Sequence, residues 1–423
     1  MVKSLILPAI LAAFLLAAFP GSANDTGVRG QVATDAADSF TWTPQNFAGF
    51  YYDANNNLGT EVLSATITEG RKLSGDEPYG LVYRTTAQMD NFDFEDWGSY
   101  YAIGFLGKNY PYRVAEDMET GEIKSPVATG SFEWNSQNFA GFYYDLDGDL
   151  GREDLRAEIT DGNILSEYDG LTYTTQAQAN GFSFEEFGKY YVIGFLGEKY
   201  FAGYIDSMDE WVSYPLLYQE SKDENSMASG QLEKIVMDES SEQVIEMGSQ
   251  LMLEEGYELL IKGVSEDGRC YLHLLKNGDL VQSKIIAPSV EGATLADKTF
   301  IYKKDVGSQK GLVIIAVYFK NAYRDGARGA ATVDGIWQIS EEPVSIEADE
   351  KFGKMRVASI DSNNMMLTMD NLGNQIALER STDIRLMGNI GLKAADQSTI
   401  DEPSPLRYYI YKTEADAEPA RNS

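Results

Sequence analysis

Apolar and polar positions alternate along this chain in short runs, and no segment of useful length repeats its apolar positions every three to four residues. Tyr257 to Val264, Arg269 to Leu275 and Leu280 to Ile286 read as three strands. Asp267-Gly268 and Asn277-Gly278 lie between them, and such dipeptides make two-residue hairpin turns, so the pattern predicts a meander. Leu312 to Phe319 reads as a central strand, and Met355 to Ile360, Met365 to Met369 and Gln375 to Glu379 as a further turn-punctuated series. The fold class that follows is all-β, with linked β-sandwich subdomains.

Self-comparison adds a tandem duplication near the N-terminus. Ser39 to Leu63 and Ser131 to Leu155 are identical at 16 of 25 positions, including the string Asn-Phe-Ala-Gly-Phe-Tyr-Tyr-Asp in both. The likeness resumes with Leu81-Val82-Tyr83 against Leu171-Thr172-Tyr173, and Ile103 to Gly107 recurs as Ile193 to Gly197. In the first copy Phe47 to Asp53 is predicted as a strand with aromatics on both faces, followed by a hairpin turn at Asn55-Asn56-Asn57. Val62 to Thr68, Leu155 to Thr160, Leu81 to Thr86 and Tyr100 to Leu106 are the remaining strand expectations.

The first 23 residues differ in kind. Lys3, an apolar run from Leu5 to Ala18 and the small residues Gly21-Ser22-Ala23 read as a cleavable export signal. The run is shorter than the roughly 20 residues a spanning helix needs, so no transmembrane anchor is expected and the product is expected outside the cell. The chain is thus divided into a signal peptide at 1–23, a first β repeat module at 24–124, a second at 125–225, a C-terminal β domain at 226–412 and a disordered tail at 413–423. The acidic stretch Glu220 to Asn225 is read as a linker.

Charge narrows the function classes. With 34 Lys plus Arg against 66 Asp plus Glu, the net charge is -32, which repels phosphate backbones and argues against nucleic-acid partners. Hydrophobic residues make up 43% of the chain, enough for a packed core and too many for a disordered acidic tail. One Cys and one His leave no material for a disulfide or a Cys/His metal site. Cys270 and His273 sit three apart in one predicted strand, hence on opposite faces.

The sharpest candidate for chemistry is the acidic loop of the second copy. Asp145, Asp147, Asp149 and Glu153 could curl around a hard cation, and Ca²⁺ takes six to eight such oxygens. The loop departs from an EF-hand, because Leu150 takes the sharp-turn Gly position and Arg156 that of the bidentate Glu. The first copy has Asn55 and Asn57 in place of acids, and a solvated hairpin turn is the favoured reading. No cofactor is expected, Ca²⁺ being the one candidate. Two further readings stay open: a secreted glycan-binding module or adhesin using the aromatic faces, and a secreted hydrolase using paired carboxylates, for which no residue is singled out.

The repeated Asn-Phe-Ala-Gly-Phe-Tyr-Tyr-Asp string resembles the S-layer duplication-domain family of methanogenic archaea. Further matching strings are Glu198 to Tyr204, Leu253 to Tyr257, Val333 to Ser340, Phe352 to Met355 and Leu406 to Tyr409. Residues 131–412 resemble one complete family domain, and the first copy resembles its opening portion. The resemblance implies linked β-sandwiches that tile into a porous surface lattice, which the composition makes acidic, no catalytic residues, and partners that are other S-layer subunits or itself; surface glycans are a further class of partner on the adhesin reading. It also implies a cell-surface location, as lattice component or as accessory protein. A carboxylate-lined sieve would admit cations and exclude anions, a selectivity that salt screens.

Overall fold

Alternation does in space what it promises in sequence. In Asp154–Thr160 the odd positions Leu155, Ala157 and Ile159 are buried and the even ones reach solvent. A computed structural model describes residues 29–33, 39–68, 72–73, 80–91, 99–114, 130–160, 163–206, 215–221, 225–396 and 406–413. The expected signal peptide and all but the first residue of the expected tail lie outside them.

The architecture is all-β. In the first repeat, Glu61–Thr68 pairs with Ser39–Trp42, Lys72–Leu73 and Leu81–Thr85. Gln88–Asn91, Ser99–Phe105 and Lys108–Val114 make a second, three-stranded sheet. The second repeat begins the same way, and then its sheets grow. Leu171–Gln176 pairs on one side with Asp154–Thr160 and on the other with Met366–Asp370, within a sheet of eight strands. Glu198–Tyr204 pairs with Gln231–Glu239, which leads into Arg328–Ile339, Gln309–Asp325 and Thr299–Val306 in a sheet of nine. Two sheets therefore run across position 225/226, and the second repeat is built together with the C-terminal half.

Two hydrophobic cores result among the described residues. One gathers around Trp337, Phe182, Tyr190, Phe201 and Leu272, and the other around Leu155, Tyr173, Phe195, Leu367 and Leu392. The expected meander is present as Tyr257–Val264, Cys270–Lys276 and Asp279–Ile286. Asp267-Gly268, however, sits in a five-residue loop, Ser265 to Arg269, and not in a two-residue turn, since Gly268 takes positive φ and Asp267 does not. In the second turn Asn277 and Gly278 both take positive φ, as that tight hairpin requires. A three-stranded sheet, Asp383–Met387, Ile390–Ala394 and Tyr408–Lys412, closes the chain.

Three further expectations need correction. Phe47 to Asp53 is no strand in either copy; it coils through turns. The central strand is longer than its apolar run, spanning Gln309–Asp325, because its polar end continues the ladder with Arg328–Ile339. Part of the expected acidic linker is helix Leu216–Ser221, docked where Ser221 Oγ accepts a bond of 3.1 Å from the Val313 N–H. No helix among the described residues is long and apolar enough to cross a membrane.

Candidate functional site

The repeated aromatic string coils because its own side chains close turns. Asn138 Oδ1 accepts from the Asn135 N–H at 2.8 Å, and the Phe139 N–H donates to the Asn135 carbonyl at 2.9 Å. Asn46 and Phe47 repeat the arrangement on Thr43, at 2.7 and 2.9 Å. The phenyl ring then folds over the glycine two residues on: a Cβ on Gly141 would lie 2.4 Å from Phe139, and one on Gly49 2.4 Å from Phe47. Only glycine fits there.

A coil inside a β protein leaves backbone donors without a ladder, and each must find an acceptor. Glu153 supplies it. Its Oε2 accepts the Tyr143 N–H at 2.6 Å, and its Oε1 accepts both the Tyr173 hydroxyl and the Gly197 N–H at 2.8 Å. One carboxylate thus ties together the aromatic coil, the strand Leu171–Gln176 and the turn after Lys189–Phe195. Glu153 is fully buried. Burial pushes its carboxyl up to about 7, against the pull of its three donors and of Lys412. Glu61 does the same in the first repeat, with the Tyr51 N–H at 2.9 Å, the Tyr83 hydroxyl at 2.7 Å and the Gly107 N–H at 3.1 Å, and it too is fully buried.

The acidic loop is separated from this latch. Asp145, Asp147 and Asp149 lie on the four-residue hairpin closed by the Asp145 and Leu150 backbones. Asp145 Oδ1 accepts the N–H groups of Asp147 and Gly148 at 3.0 and 3.2 Å, and Asp149 accepts the Tyr144 hydroxyl at 2.7 Å. Glu153 points instead into the protein, so the structure does not gather the four expected calcium ligands. Among the described residues no group of three or more His, Cys, Asp or Glu is placed to hold a metal. The first copy takes the same turn with Asn at two of these positions: Asp53 accepts the Asn55 N–H at 2.8 Å and Asn57 accepts the Tyr52 hydroxyl at 2.9 Å. The loop shape therefore does not depend on the extra carboxylates. Cys270 is buried and His273 half-buried on the opposite side of their strand.

Sequence reasoning placed Glu153 among the calcium ligands and passed over Glu61. A signal was available: the glutamate is identical in the two copies, whereas the loop carboxylates at 147 and 149 are Asn55 and Asn57 in the first.

Two clamps hold the first repeat, one to the second repeat and one to the C-terminal half. At one end Arg29 donates to the Ser136 carbonyl at 2.9 Å and the Val32 N–H to the Gln137 carbonyl at 3.0 Å, while the Gln31 N–H reaches the Asn46 carbonyl at 2.8 Å. At the other, Arg407 donates to the carbonyls of Ala54 and Asn55, both at 2.6 Å, and the Asp396 N–H donates to Asn55 Oδ1 at 2.7 Å. Between the clamps runs a cleft of about 1710 Å³, lined by Phe50, Tyr52, Trp134, Phe139 and Tyr408 among others. Its carboxylates are already engaged: Asp53 with the Asn55 N–H and the Asn56 side chain, Asp383 with Lys393 and Tyr411, Asp396 with Arg380, and Glu198 with Lys234 and Lys412. The arrangement is one of joints and fastenings.

Comparison with known proteins agrees with that character. The family described as S-layer protein matches residues 31–130 and again 123–396, so the first match covers the first repeat and the second takes in the second repeat with most of the C-terminal half. The Major S-layer protein of Methanosarcina barkeri is 29% identical over 347 residues, 80% of this chain and 46% of that protein. The Major S-layer protein of Methanosarcina mazei is 28% identical over 310 residues, 71% of this chain and 41% of that protein. The chain spans less than half the length of these relatives.

Proposed function

This chain belongs to the S-layer protein family, and from that premise we propose that it is a structural component of an extracellular surface coat, acting through assembly and transforming no substrate. The observation that carries the reading is the double family match in step with the two repeats. The local chemistry supports it. The most deeply placed acids among the described residues, Glu61, Glu153 and Glu233, each spend their oxygens on groups of the fold. The net charge of -32 would line such a coat with carboxylates and favour passage of cations over anions.

The test is electron microscopy of the purified full chain at high protein concentration, with divalent cations, alongside fractionation of source cells. Ordered sheets or particles decorating an existing coat, and recovery in the envelope fraction, are expected. Dispersed monomers under every condition, together with recovery in the medium, would overturn the assignment.

A further inference from the structure

A sheet packed on one face only should alternate apolar and polar positions, as Asp154–Thr160 does. The meander does not. Its inward positions, Leu259, Ile261, Cys270, Leu272 and Leu274, are buried in the core around Trp337. Its outward positions are largely apolar too, and they stay open. Met252, on the strand Gln250–Met252 that pairs with Tyr257–Val264, is 59% exposed, Tyr271 43%, Leu280 57% and Ile285 62%. Leu260, His273 and Leu275 lie between them, half-buried. A continuous apolar face of this kind marks an interaction site.

Charge says what covers it. Acids outnumber bases by 66 to 34 over the chain, yet the outward positions of these four strands hold one of each, Glu258 and Lys262. The two flank Leu260 on a single strand, which makes the face complementary to itself. When a second copy turns over about a two-fold axis running across the strands at Leu260, His273 and Ser283, each Glu258 meets the Lys262 of the other copy. The same rotation lays Tyr271 over Leu275 and Ile285 over Leu280, apolar on apolar. We infer that the outer face of the meander is a self-docking surface that packs on the same face of a second copy of this chain, sheet against sheet. This pairing rests on the coat reading and deepens it, by supplying one of the contacts between subunits. Strand spacing and rise make the face roughly 20 Å on a side, so each copy buries about 400 Å², less than a stable isolated dimer uses. The contact is therefore weak alone and gains strength where other contacts hold the same copies together.

Sedimentation velocity of the full chain, in about 0.15 M salt and up to about 300 µM, should show a reversible monomer–dimer equilibrium. Lys262→Glu sets acid against acid twice and should weaken the dimer at least about tenfold. Glu258→Lys should weaken it as much, although it lowers the net repulsion between the two acidic chains. Exchanging the two residues, Glu258→Lys with Lys262→Glu, makes the face self-complementary again and should restore the dimer. Ser283→Cys, on the axis, should cross-link between copies with a short bis-maleimide, and Ile285→Cys, away from it, far less; the native Cys270 is buried. Ile285→Thr should weaken the dimer and leave the thermal midpoint of the chain at about 1 µM unchanged. A monomer at every concentration, a double exchange as weak as the single ones, or equal cross-linking at 283 and 285 would each overturn the pairing. So would a midpoint lowered by Ile285→Thr as far as by a core substitution, because the chain would then cover this face itself. Equal dimerisation and equal sheet formation by the Lys262→Glu chain would overturn the pairing and leave the coat reading in place. A dimer that answers to these substitutions, in a chain that enters neither sheets nor the envelope, would keep the pairing and sink the coat.

Discussion

The two repeats carry nearly the same instructions and reach different degrees of enclosure. Trp134 is 8% exposed and Tyr173 fully buried, while Trp42 and Tyr83 at the matching positions stay half-buried. The glutamate latch does not follow that trend: Glu61 is as buried as Glu153 and holds the same three donors. The reason is where the partners come from. Every group bonded by Glu61 lies within the first repeat, so the latch closes locally. The apolar seal of the second repeat comes largely from beyond it, through Val357, Leu367, Met369, Leu392 and Ile410. A buried carboxylate without donors would be intolerable, whereas an apolar face can wait for its cover at a cost that scales only with area. Polar constraints are thus written inside the repeat, and hydrophobic closure is delegated.

The most severe way to break this equivalence is at the latch. In Glu153→Gln the amide nitrogen must face either the Tyr143 N–H or the pair Tyr173 hydroxyl and Gly197 N–H, leaving at least one donor unmet in a dry site. The expected loss is about 1–3 kcal/mol of stability. Glu61→Gln makes the same error where the hydroxyl donor Tyr83 is half-buried, against a fully buried Tyr173, so water can substitute there and a smaller loss is expected. Hydrogen exchange localises the effect: protection at the Tyr143 and Gly197 amides should fall more than at Tyr51 and Gly107. Equal losses would show that enclosure by the C-terminal half does not govern the strength of the latch.

A second test sharpens the comparison through pH. The carboxyls of Glu153 and Glu233 are both raised to about 7, chiefly by burial. Their ordinary value is near 4.5, so between roughly pH 4.5 and 7 the folded chain binds more protons than the unfolded one. Stability from these groups is therefore greatest below that window and declines as pH rises through it, by up to about 3 kcal/mol for each group. Thermal unfolding at pH 5 and pH 8 should show the lower midpoint at pH 8. Glu153→Gln, which cannot titrate, should have a shallower decline, so its penalty should be larger at pH 5 than at pH 8. A midpoint that rises across the window would reverse the assigned sign.

Much of this was legible in the sequence, for definite reasons. The meander could be read because Asn277-Gly278 demands positive φ at two consecutive residues and few other contexts supply it. The duplication could be read because the latch, the coil and the flanking strands need the same side chains twice. The coil at Phe47 and Phe139 could not be told from a strand by hydrophobicity, since its aromatics enter the core from a turn held by Asn46 and Asn138. The role of Glu153 was hidden for a related reason. A glutamate beside three aspartates looks like a ligand, and only the distance to the Tyr173 hydroxyl, 20 positions away, shows that it faces inward.

The mildest expected effect concerns how firmly the first repeat is held to the rest. Arg407 reaches the carbonyls of Ala54 and Asn55 from the C-terminal layer, partly in solvent, and its removal should cost about 1 kcal/mol, the usual worth of such bonds. In Arg407→Ala the Asp396 N–H bond to Asn55 remains, and so does the clamp at Arg29, so the repeat should stay docked but loosen at that hairpin. Amide exchange in the hairpin Asp53 to Leu58 should quicken several-fold, with Asp145 to Leu150 unchanged. Equal quickening in both hairpins would mean that the two repeats open as one body, and the local independence argued for the first would be lost.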